Sequence, residues 1–361
     1  MATMHETDTL RVAVVGCGGM GRKHARHVRD SGHLVVAGAD VAQSARESFA
    51  ATFDAEPYGD VTGMYAAEAP DAVVVATPNA HHPDAVVPAL ERDVPVLCEK
   101  PLAADLAGAE TIAAAAADSD AFCTVGVHNR FSVAADLATA YRERGAFGEV
   151  SHVEAEYVRR RGVPGVGSWF TDADLAGGGA VVDLGVHLVD FALYLAGFPD
   201  VETVSAVTRS EFGGREDYVD PERWAGHGSG GSGAFEVEDS ASAFLRCADG
   251  TTVSLEVAWA CNREPSQTVR LRGTEAGARC ELGGEDLTVL GVDDAGTDHF
   301  VDSELSGERE RVGHAAQDRA FLDAVAAGEA PALNTVEEGL AVQRVLDAVY
   351  RSAEAGREVR V

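Results

Sequence analysis

Lysine is almost absent from this chain of 361 residues, because among its 29 basic residues only Lys23 and Lys100 are lysines. Positive charge in general is scarce, since 59 acidic residues give a formal net charge of −30 at pH 7. So acidic a protein repels nucleic acids and anionic membranes, and neither is an expected partner. A dense carboxylate surface is typical of proteins from salt-accumulating halophiles, and the composition predicts such a source.

Long apolar runs and paired cysteines are missing as well. No run reaches the ~18 apolar residues that span a bilayer. The polar stretch from Met1 to Thr9 lacks the plan of a secretory signal and is expected to be a frayed extension. The six cysteines form no C-x-x-C pair and mostly lie in apolar runs. These features predict a reduced, cytoplasmic protein without a disulfide or zinc framework.

The length predicts two domains, and the sequence pattern changes near residue 128. Residues 1–127 alternate β-branched strands with helices, which predicts a doubly wound parallel sheet of the Rossmann type. Residues 128–361 contain period-two segments, including a hairpin with Asp249-Gly250 at its turn, which predicts an α/β domain with a mostly antiparallel sheet. The closing helices, within about 315–355, are expected to pack on the first domain, and residues 213–233 to form a mobile loop.

A glycine-rich turn follows the first strand. Gly16, Gly18 and Gly21 form a GxGxxG pattern just before a helical segment. In a dinucleotide site the first glycine permits the tight turn, the second admits the pyrophosphate and the third lets helix and strand pack closely. The helix N-terminus then attracts the phosphates, and Gly19 and Met20 belong to the same turn. The alternative is a purely structural turn.

Asp40 ends the second strand, about twenty residues further on. A carboxylate there accepts hydrogen bonds from a ribose 2′-hydroxyl and repels a 2′-phosphate, which favours NAD over NADP. Arg46 is a candidate for accommodating a 2′-phosphate, so NADP stays open as an alternative.

Lys100 stands directly after a predicted parallel strand, between Glu99 and Pro101. A lysine can release a proton when burial lowers its pKa, whereas an arginine cannot. Retention of lysine here, in a chain that otherwise uses arginine, favours a catalytic role over a surface position. No comparable argument exists for Lys23, which is expected at the surface.

Asp183 and His187 are four residues apart and share a face of a predicted helix over 179–196, with Asp190 adjacent. A carboxylate that fixes one imidazole nitrogen leaves the other free to take a proton from a hydroxyl. Two alternatives remain open: a capping aspartate with a core histidine, or a divalent metal site, although no further ligand cluster supports a metal.

Several ordered segments together resemble the Gfo/Idh/MocA oxidoreductases. They are the glycine-rich turn, Ala76-Thr77-Pro78-Asn79 with His82, Cys98-Glu99-Lys100-Pro101, His128-Asn129-Arg130-Phe131, the Gly178 to Asp190 segment and Val237-Glu238-Asp239. The resemblance covers nearly the whole chain. It implies a Rossmann domain followed by an α/β domain with a large open sheet, commonly used to form dimers or tetramers.

The resemblance also implies roles for single residues. Lys100 and His187 would form the catalytic pair, with Asp183 beside them. Thr77, Pro78, Asn79, His82 and Glu99 match positions on the cofactor side, and Asn129 and Arg130 match positions that line the substrate cleft. Arg160 and Trp169 precede the catalytic helix, where guanidinium and aromatic groups suit a sugar; the alternative is a solvated basic turn with core aromatics.

The sequence therefore predicts an NAD(P)-dependent dehydrogenase that acts on a hydroxyl of a sugar, cyclitol or sugar derivative. Two other classes stay open. One is a glycosidase that oxidises its sugar transiently with tightly held NAD, and the other is a dinucleotide-binding regulator without catalysis. Intact Lys100, Asp183 and His187 argue against the regulator.

Overall fold

The computed structural model describes residues 9–221 and 235–361, which divide into two compact units. The first unit holds the described residues up to Ala103 together with Ala107–Val127 and His314–Leu340. The second holds Ala104–Leu106, His128–Gly313 and Ala341–Val361. Residues 1–8 of the predicted extension and residues 222–233 of the predicted mobile loop lie outside the described part of the chain.

Strands and helices alternate in the first unit. Its strands are β1 (Arg11–Val15), β2 (Leu34–Ala39), β3 (Glu56–Tyr58), β4 (Ala72–Val75), β5 (Val96–Glu99) and β6 (Cys123–Gly126). Its first helices are α1 (Gly19–Asp30), α2 (Gln43–Phe53), α3 (Val61–Glu68), α4 (His82–Leu90) and α5 (Leu106–Ala117). All strand pairs are parallel, in the order β3-β2-β1-β4-β5-β6. The predicted doubly wound parallel sheet is confirmed.

The sheet of the first unit is covered on both faces, and β1 shows how. Val12 and Val14 pack into one apolar cluster, whereas Ala13 and Val15 pack into another. Successive side chains of a strand point to opposite faces, so a strand buried on both sides consists of apolar residues throughout. The continuous apolar run of β4 has the same cause, because all four of its residues are buried.

Two helices of the first unit differ from expectation. The composition of the alanine-rich run Leu102–Ala117 predicts a helix throughout, but the run is helical only from Leu106, since Leu102 and Ala103 are buried in the connection that follows β5. Helix α3 was not anticipated, although Asp60 caps it by accepting a hydrogen bond from the Gly63 N–H at 2.7 Å. An aspartate before an apolar stretch is the usual signal for such a start.

The second unit is built on a large sheet. Its elements are α6 (Val133–Glu143), β7 (Val150–Val158), α7 (Ala173–Ala176), α8 (Val186–Ala196), β8 (Val201–Arg209), β9 (Ser240–Cys247), β10 (Thr252–Ala258), β11 (Thr268–Gly273), β12 (Gly277–Glu281), β13 (Asp286–Asp293) and β14 (His299–Ser306). The chain closes with α9 (Gly313–Ala327), α10 (Val336–Ala355) and β15 (Val359–Arg360).

Nine strands form this sheet in the order β14-β13-β12-β11-β7-β10-β9-β8-β15. Only the pair β7 and β10 is parallel among the strand pairs described, and the predicted hairpin of β9 and β10 is present. Gly250 in its turn has φ +92°, a conformation that glycine adopts without strain. The mostly antiparallel second sheet is therefore confirmed.

The stretch Ala173–Ala196 is the one described helical segment long and apolar enough to cross a membrane, and its most apolar window has a mean hydropathy of 1.5. However, 83% of its most apolar window is buried inside the protein. Leu188 and Phe191 of α8 pack in the main core of the second unit together with Val153 and Leu255 of the sheet. The segment is therefore a core helix.

Candidate active site

The glycine-rich turn combines a tightly packed part with an open part. Gly16 has φ +92°, and a Cβ there would overlap the carbonyl oxygen of Ala76. A Cβ at Gly21 would overlap the carbonyl oxygen of Gly16. Gly18 and Gly19, in contrast, are exposed and have open space where a Cβ would stand. Packing thus explains the outer two glycines, and the middle of the turn is left as a cradle that a phosphate can approach.

Helix α1 starts at Gly19 and has no acidic residue in its first turn. Its unpaired N–H groups and positive dipole end therefore face the cradle without a competing carboxylate. The carboxylate of Asp40 lies against the same turn, where it accepts hydrogen bonds from the N–H groups of Cys17 at 2.9 Å and Ala42 at 2.8 Å. Its remaining lone pairs suit a ribose hydroxyl, so these residues fit a bound dinucleotide.

Arg46 is held near Asp40 by the main chain. Its guanidinium donates hydrogen bonds to the carbonyl oxygens of Asp40 and Val41, both at 3.1 Å. The residue considered for a 2′-phosphate therefore lies beside the carboxylate that would repel one.

The segment after β4 contains an unsatisfied hydroxyl and a buried histidine. Thr77 Oγ1 is buried and has no hydrogen-bond partner among the described residues, as expected where a ligand completes the site. His82 is fully buried, and its imidazole lies 3.1 Å from the Thr77 carbonyl and 3.0 Å from that of Pro101. Burial lowers the pKa of His82. His82 thus links the segments that follow β4 and β5 through their main-chain carbonyls. The cofactor contact predicted for His82 stays a prediction.

Pro78 and Asn79 lie between Thr77 and that histidine. Pro78 has an extended conformation and precedes a short 3₁₀ turn, Asn79–His81, in which Asn79 is buried. Both residues thus follow β4 at the carboxyl end of the sheet, the edge at which ligands of such folds bind.

Glu99 ends β5 and is only 7% exposed. Its Oε1 lies 2.9 Å from His24 Nε2 on α1, and its Oε2 accepts a hydrogen bond from the Lys100 N–H at 3.2 Å. Burial would raise the pKa of Glu99, but the hydrogen bond and charge of His24 outweigh it and hold the pKa at about 2. Glu99 is therefore an ionised group inside the first unit, with His24 as a partner that the sequence had not suggested.

In the second unit, Glu238 fixes the start of the long helical segment. Its carboxylate accepts hydrogen bonds from the N–H groups of Gly179 at 3.0 Å and Val181 at 2.8 Å, and from the Tyr350 hydroxyl at 3.0 Å. Burial raises the pKa of Glu238. A π-helical turn, Val181–Gly185, follows before α8. Such turns are rare and are often found at functional sites.

Asp183 lies in this π turn, and Trp259 holds its carboxylate. Trp259 is fully buried and donates from Nε1 to Asp183 Oδ2 at 2.9 Å. His187 follows in α8 and is 8% exposed. Its Nδ1 lies 3.2 Å from Asn129 Nδ2, and its ring packs edge-to-face on His128 with centroids 5.3 Å apart. Asn129 is thus an orienting partner of the imidazole, while fixation by Asp183 remains a prediction.

Arg130 is fully buried and forms a two-pronged ion pair with Asp190. The distances are 3.0 Å from Nε and 2.5 Å from Nη2, and the guanidinium also lies over the rings of Tyr194 and Phe198. These contacts favour a structural role over the predicted substrate contact. They also occupy Asp190, which the sequence had placed beside the catalytic aspartate and histidine.

Arg160 and Trp169 lie in the loop after β7. Arg160 is exposed and donates to the Arg263 carbonyl at 3.2 Å. Trp169 begins a 3₁₀ turn, Trp169–Thr171, and its ring stacks on Phe170 with centroids 3.9 Å apart. Arg160 is exposed and Trp169 is partly buried, so a substrate contact stays a prediction for each.

Lys23 is the clear correction among the basic residues. It is half-buried rather than at the surface, and its Nζ lies 2.9 Å from His314 Nδ1 on α9. Burial lowers the pKa of Lys23.

The parallel sheet, its open glycine cradle and the acid at the end of β2 define a dinucleotide-binding protein of the Rossmann type. Comparison with known families agrees. The oxidoreductase family described as having an NAD-binding Rossmann fold matches residues 10–127, and the GFO/IDH/MocA C-terminal domain matches residues 137–279. The chain belongs to the Gfo/Idh/MocA family of oxidoreductases, and its cofactor is NAD.

Two relatives and one solved structure show how similar this chain is to known proteins. The D-glucoside 3-dehydrogenase of Escherichia coli (strain K12) is 29% identical over the full length of both chains. A putative UDP-kanosamine synthase oxidoreductase subunit of Amycolatopsis mediterranei (strain S699) is 32% identical over 76% of each chain. The structure of GenD2 from gentamicin A biosynthesis, in complex with NAD, superposes with a TM-score of 0.78 at 28% identity, covering 100% of this chain and 99% of that one.

Proposed function

We propose that the protein is an NAD-dependent dehydrogenase that oxidises a secondary or anomeric hydroxyl of a sugar, cyclitol or sugar derivative to a carbonyl, or catalyses the reverse. The observation that carries the proposal is the likeness over the full length to a D-glucoside 3-dehydrogenase, in a chain that keeps Lys100, Asp183 and His187. The inositol 2-dehydrogenase 2 of Paenarthrobacter aurescens (strain TC1), 28% identical over 95% of this chain, supports a polyhydroxylated substrate.

Oxidation of such a CH–OH group removes one hydride and one proton. Bound NAD supplies the hydride acceptor at nicotinamide C4. The proton leaves the substrate hydroxyl for the protein, and we assign its transfer to Lys100 and His187. The contact of His187 with Asn129 supports this role, because a partner at Nδ1 holds the imidazole ring in a defined orientation. The bond from Trp259 keeps the neighbouring Asp183 carboxylate in place.

The test follows absorbance at 340 nm in molar KCl, with NAD or NADP and a panel of aldoses, glycosides, inositols and sugar acids. We expect reduction of NAD with at least one of them. Lys100→Ala should retain NAD affinity and lose about 10²- to 10⁴-fold in kcat, the usual contribution of a general acid or base. Arg92→Ala, which removes an exposed cation of the first unit, is the control and should keep its turnover.

Three results would count against the proposal. Unchanged turnover in Lys100→Ala would remove Lys100 from the mechanism. NAD retained through purification, together with cleavage of a glycoside, would indicate the transient-oxidation glycosidase. NAD binding without turnover on any member of the panel would favour a regulator.

We further propose that the protein is cytoplasmic and forms a homodimer or homotetramer. The pair Val292 and Phe300, opposite each other on β13 and β14, supports assembly because these side chains are 73% and 86% exposed. Light scattering in molar KCl measures the mass directly, and a monomer would contradict the assembly.

A further inference from the structure

A cluster of ionisable groups lies inside the first unit, and the proposed chemistry does not use it. His24 of α1 is fully buried between two carboxylates. Its Nε2 lies 2.9 Å from Glu99 Oε1, and its Nδ1 lies 2.9 Å from both oxygens of Asp318 on α9. His27, one turn along α1, lies 2.6 Å from Asp318 Oδ2 through its own Nδ1. The cluster thus joins α1, the end of β5 and α9.

The distances decide what the cluster is. His24, His27 and Asp318 are residue types that bind metals. Around a tetrahedral zinc, with bonds of about 2.0 to 2.1 Å, two ligand atoms stand roughly 3.3 Å apart. The separations of 2.6 and 2.9 Å are instead those of charge-assisted hydrogen bonds. The geometry therefore describes a hydrogen-bonded ion cluster.

Charge balance explains why the cluster can be buried. Burial alone would lower the pKa of His24, but the charge and hydrogen bond of Asp318 and those of Glu99 raise it to about 10. Conversely, burial would raise the pKa of Asp318, and the pairing with His24 holds it at about 2. An imidazolium with both N–H groups donated to carboxylates satisfies every strong donor on the ring.

The cluster reaches Lys100 through Glu99. One oxygen of Glu99 is held by His24, and the other accepts the Lys100 N–H at 3.2 Å. The Glu99 carboxylate therefore holds the main chain of Lys100, the residue whose ammonium group is the proposed acid–base group. Since α1 begins in the glycine cradle, the same ion pair also joins the nucleotide-binding turn to the end of β5.

We propose that His24 and Glu99 are positioning residues for Lys100, with the buried imidazolium holding the Glu99 carboxylate that fixes the Lys100 main chain. The proposal rests on the proposed function, in which Lys100 transfers a proton. His24 and Glu99 themselves need touch neither substrate nor cofactor. Their loss should displace the ammonium group and leave the binding of substrate largely intact.

Because the chain has only two lysines, the position of the Lys100 ammonium group can be tested directly. Reductive methylation with ¹³C-formaldehyde labels Lys23, Lys100 and the N-terminus, and the signal lost in Lys100→Arg identifies Lys100. We expect His24→Gln to move the Lys100 methyl resonance from its wild-type position and to change its response to NADH. The matched control is His27→Gln, which also removes a partner of Asp318 but does not touch Glu99, and it should leave the resonance in place.

Kinetics on unlabelled protein supply the second measurement. In His24→Gln we expect kcat to fall about 10- to 100-fold, the scale of a catalytic group displaced by about 1 Å, while KM changes less than about threefold. If His24→Gln does not fold, the isosteric Glu99→Gln replaces it with the same expectations. A folded variant with unchanged Lys100 resonance and unchanged kcat would overturn the proposal.

The two proposals can fail separately. If the wild-type protein oxidises nothing in the panel, yet the Lys100 resonance moves in His24→Gln and stays in His27→Gln, the positioning pair stands and the proposed function fails. If the wild type is active and the resonance does not move, the function stands and the positioning pair fails.

Discussion

At the scale of single residues, the position of Asp40 predicts the choice of cofactor. Its two oxygens are anchored by the N–H groups of Cys17 and Ala42, so the negative charge stays at the end of β2 instead of moving aside. A 2′-phosphate brought there meets a fixed like charge, whereas a 2′-hydroxyl meets an acceptor. Arg46 is committed to main-chain carbonyls beside it and offers only partial compensation.

We therefore expect the wild-type protein to prefer NAD over NADP by at least about tenfold in kcat/KM, equivalent to about 1.4 kcal/mol. Asp40→Ala should lower this preference, mainly by improving the use of NADP. The ratio of kcat/KM for the two cofactors with one substrate is the measurement. Asp30→Ala, which removes an exposed carboxylate at the other end of α1, is the control and should not change the ratio. An Asp40→Ala ratio equal to the wild-type ratio would refute the electrostatic argument.

The residues found from sequence and those missed differ in a physical way. Gly16, Asp40 and Glu99-Lys100 follow strands of a parallel sheet, where local pattern alone predicts their place. His24 and Trp259 gain their roles from partners 75 and 76 residues away in the chain. The local sequence around a histidine on an amphipathic helix, or around a tryptophan after a strand, does not indicate that the side chain will pair with a distant carboxylate. Arg130 shows a different limit of local pattern, because its motif suggests a substrate contact and does not reveal the buried ion pair with Asp190.

At the scale of elements, regular periodicity predicts the limits of long segments. The alternating pattern of residues 150–158 matches β7, and the helical patterns of residues 43–53 and 336–355 match α2 and α10. The π turn at Val181–Gly185 is not predictable from periodicity, since a π-helix differs from an α-helix only by a shift of one residue in its hydrogen bonds. Its start depends on Glu238, about 57 residues further along the chain. Such a feature arises from tertiary contacts rather than from local propensity.

The contact of α1, β5 and α9 through His24 should make stability depend on pH. The folded-state pKa of His24, about 10, lies above the ordinary value of 6.5, so its contribution is complete below about 6.5 and is lost as pH rises through about 10. For Glu99 and Asp318 the folded pKa values are lowered, so their contribution is present above the ordinary values of 4.5 and 3.8 and is lost as pH falls toward about 2. Lys23, His27 and His314 face the same cluster.

We expect the melting temperature of His24→Gln to lie below that of the wild type, with the widest gap near pH 5 to 6.5. The gap should narrow steadily toward pH 10, because the wild type loses the contribution of the imidazolium. Thermal unfolding between pH 5 and pH 10, at constant molar KCl, measures this difference in melting temperature. His299→Gln, a change at an exposed position of β14, is the control, and its difference in melting temperature from the wild type should stay constant with pH. A His24→Gln gap that stays constant to pH 10 would contradict the assignment of a buried imidazolium.

At the scale of the whole molecule, the net charge of −30 dominates. Carboxylates on one folded chain repel each other, and this repulsion opposes folding until salt screens it. The screening length falls from about 10 Å at 0.1 M salt to about 3 Å at 1 M, which is shorter than the distance between most surface charges. The ion pairs inside the first unit are screened much less, so salt should act mainly on the surface.

We expect the melting temperature to rise by more than about 5 °C between 0.1 M and 2 M KCl, roughly 2 kcal/mol for a chain of this size, and activity to rise with it. A variant with Glu91, Glu110 and Glu354 replaced by glutamine removes three exposed charges and should need less salt for the same melting temperature. His27→Gln, which changes no carboxylate, serves as the control. Equal stability of the wild type in dilute buffer and in 2 M KCl would refute both the repulsion argument and the halophilic source it predicts, because a halophilic surface is stabilised only when its carboxylates are screened.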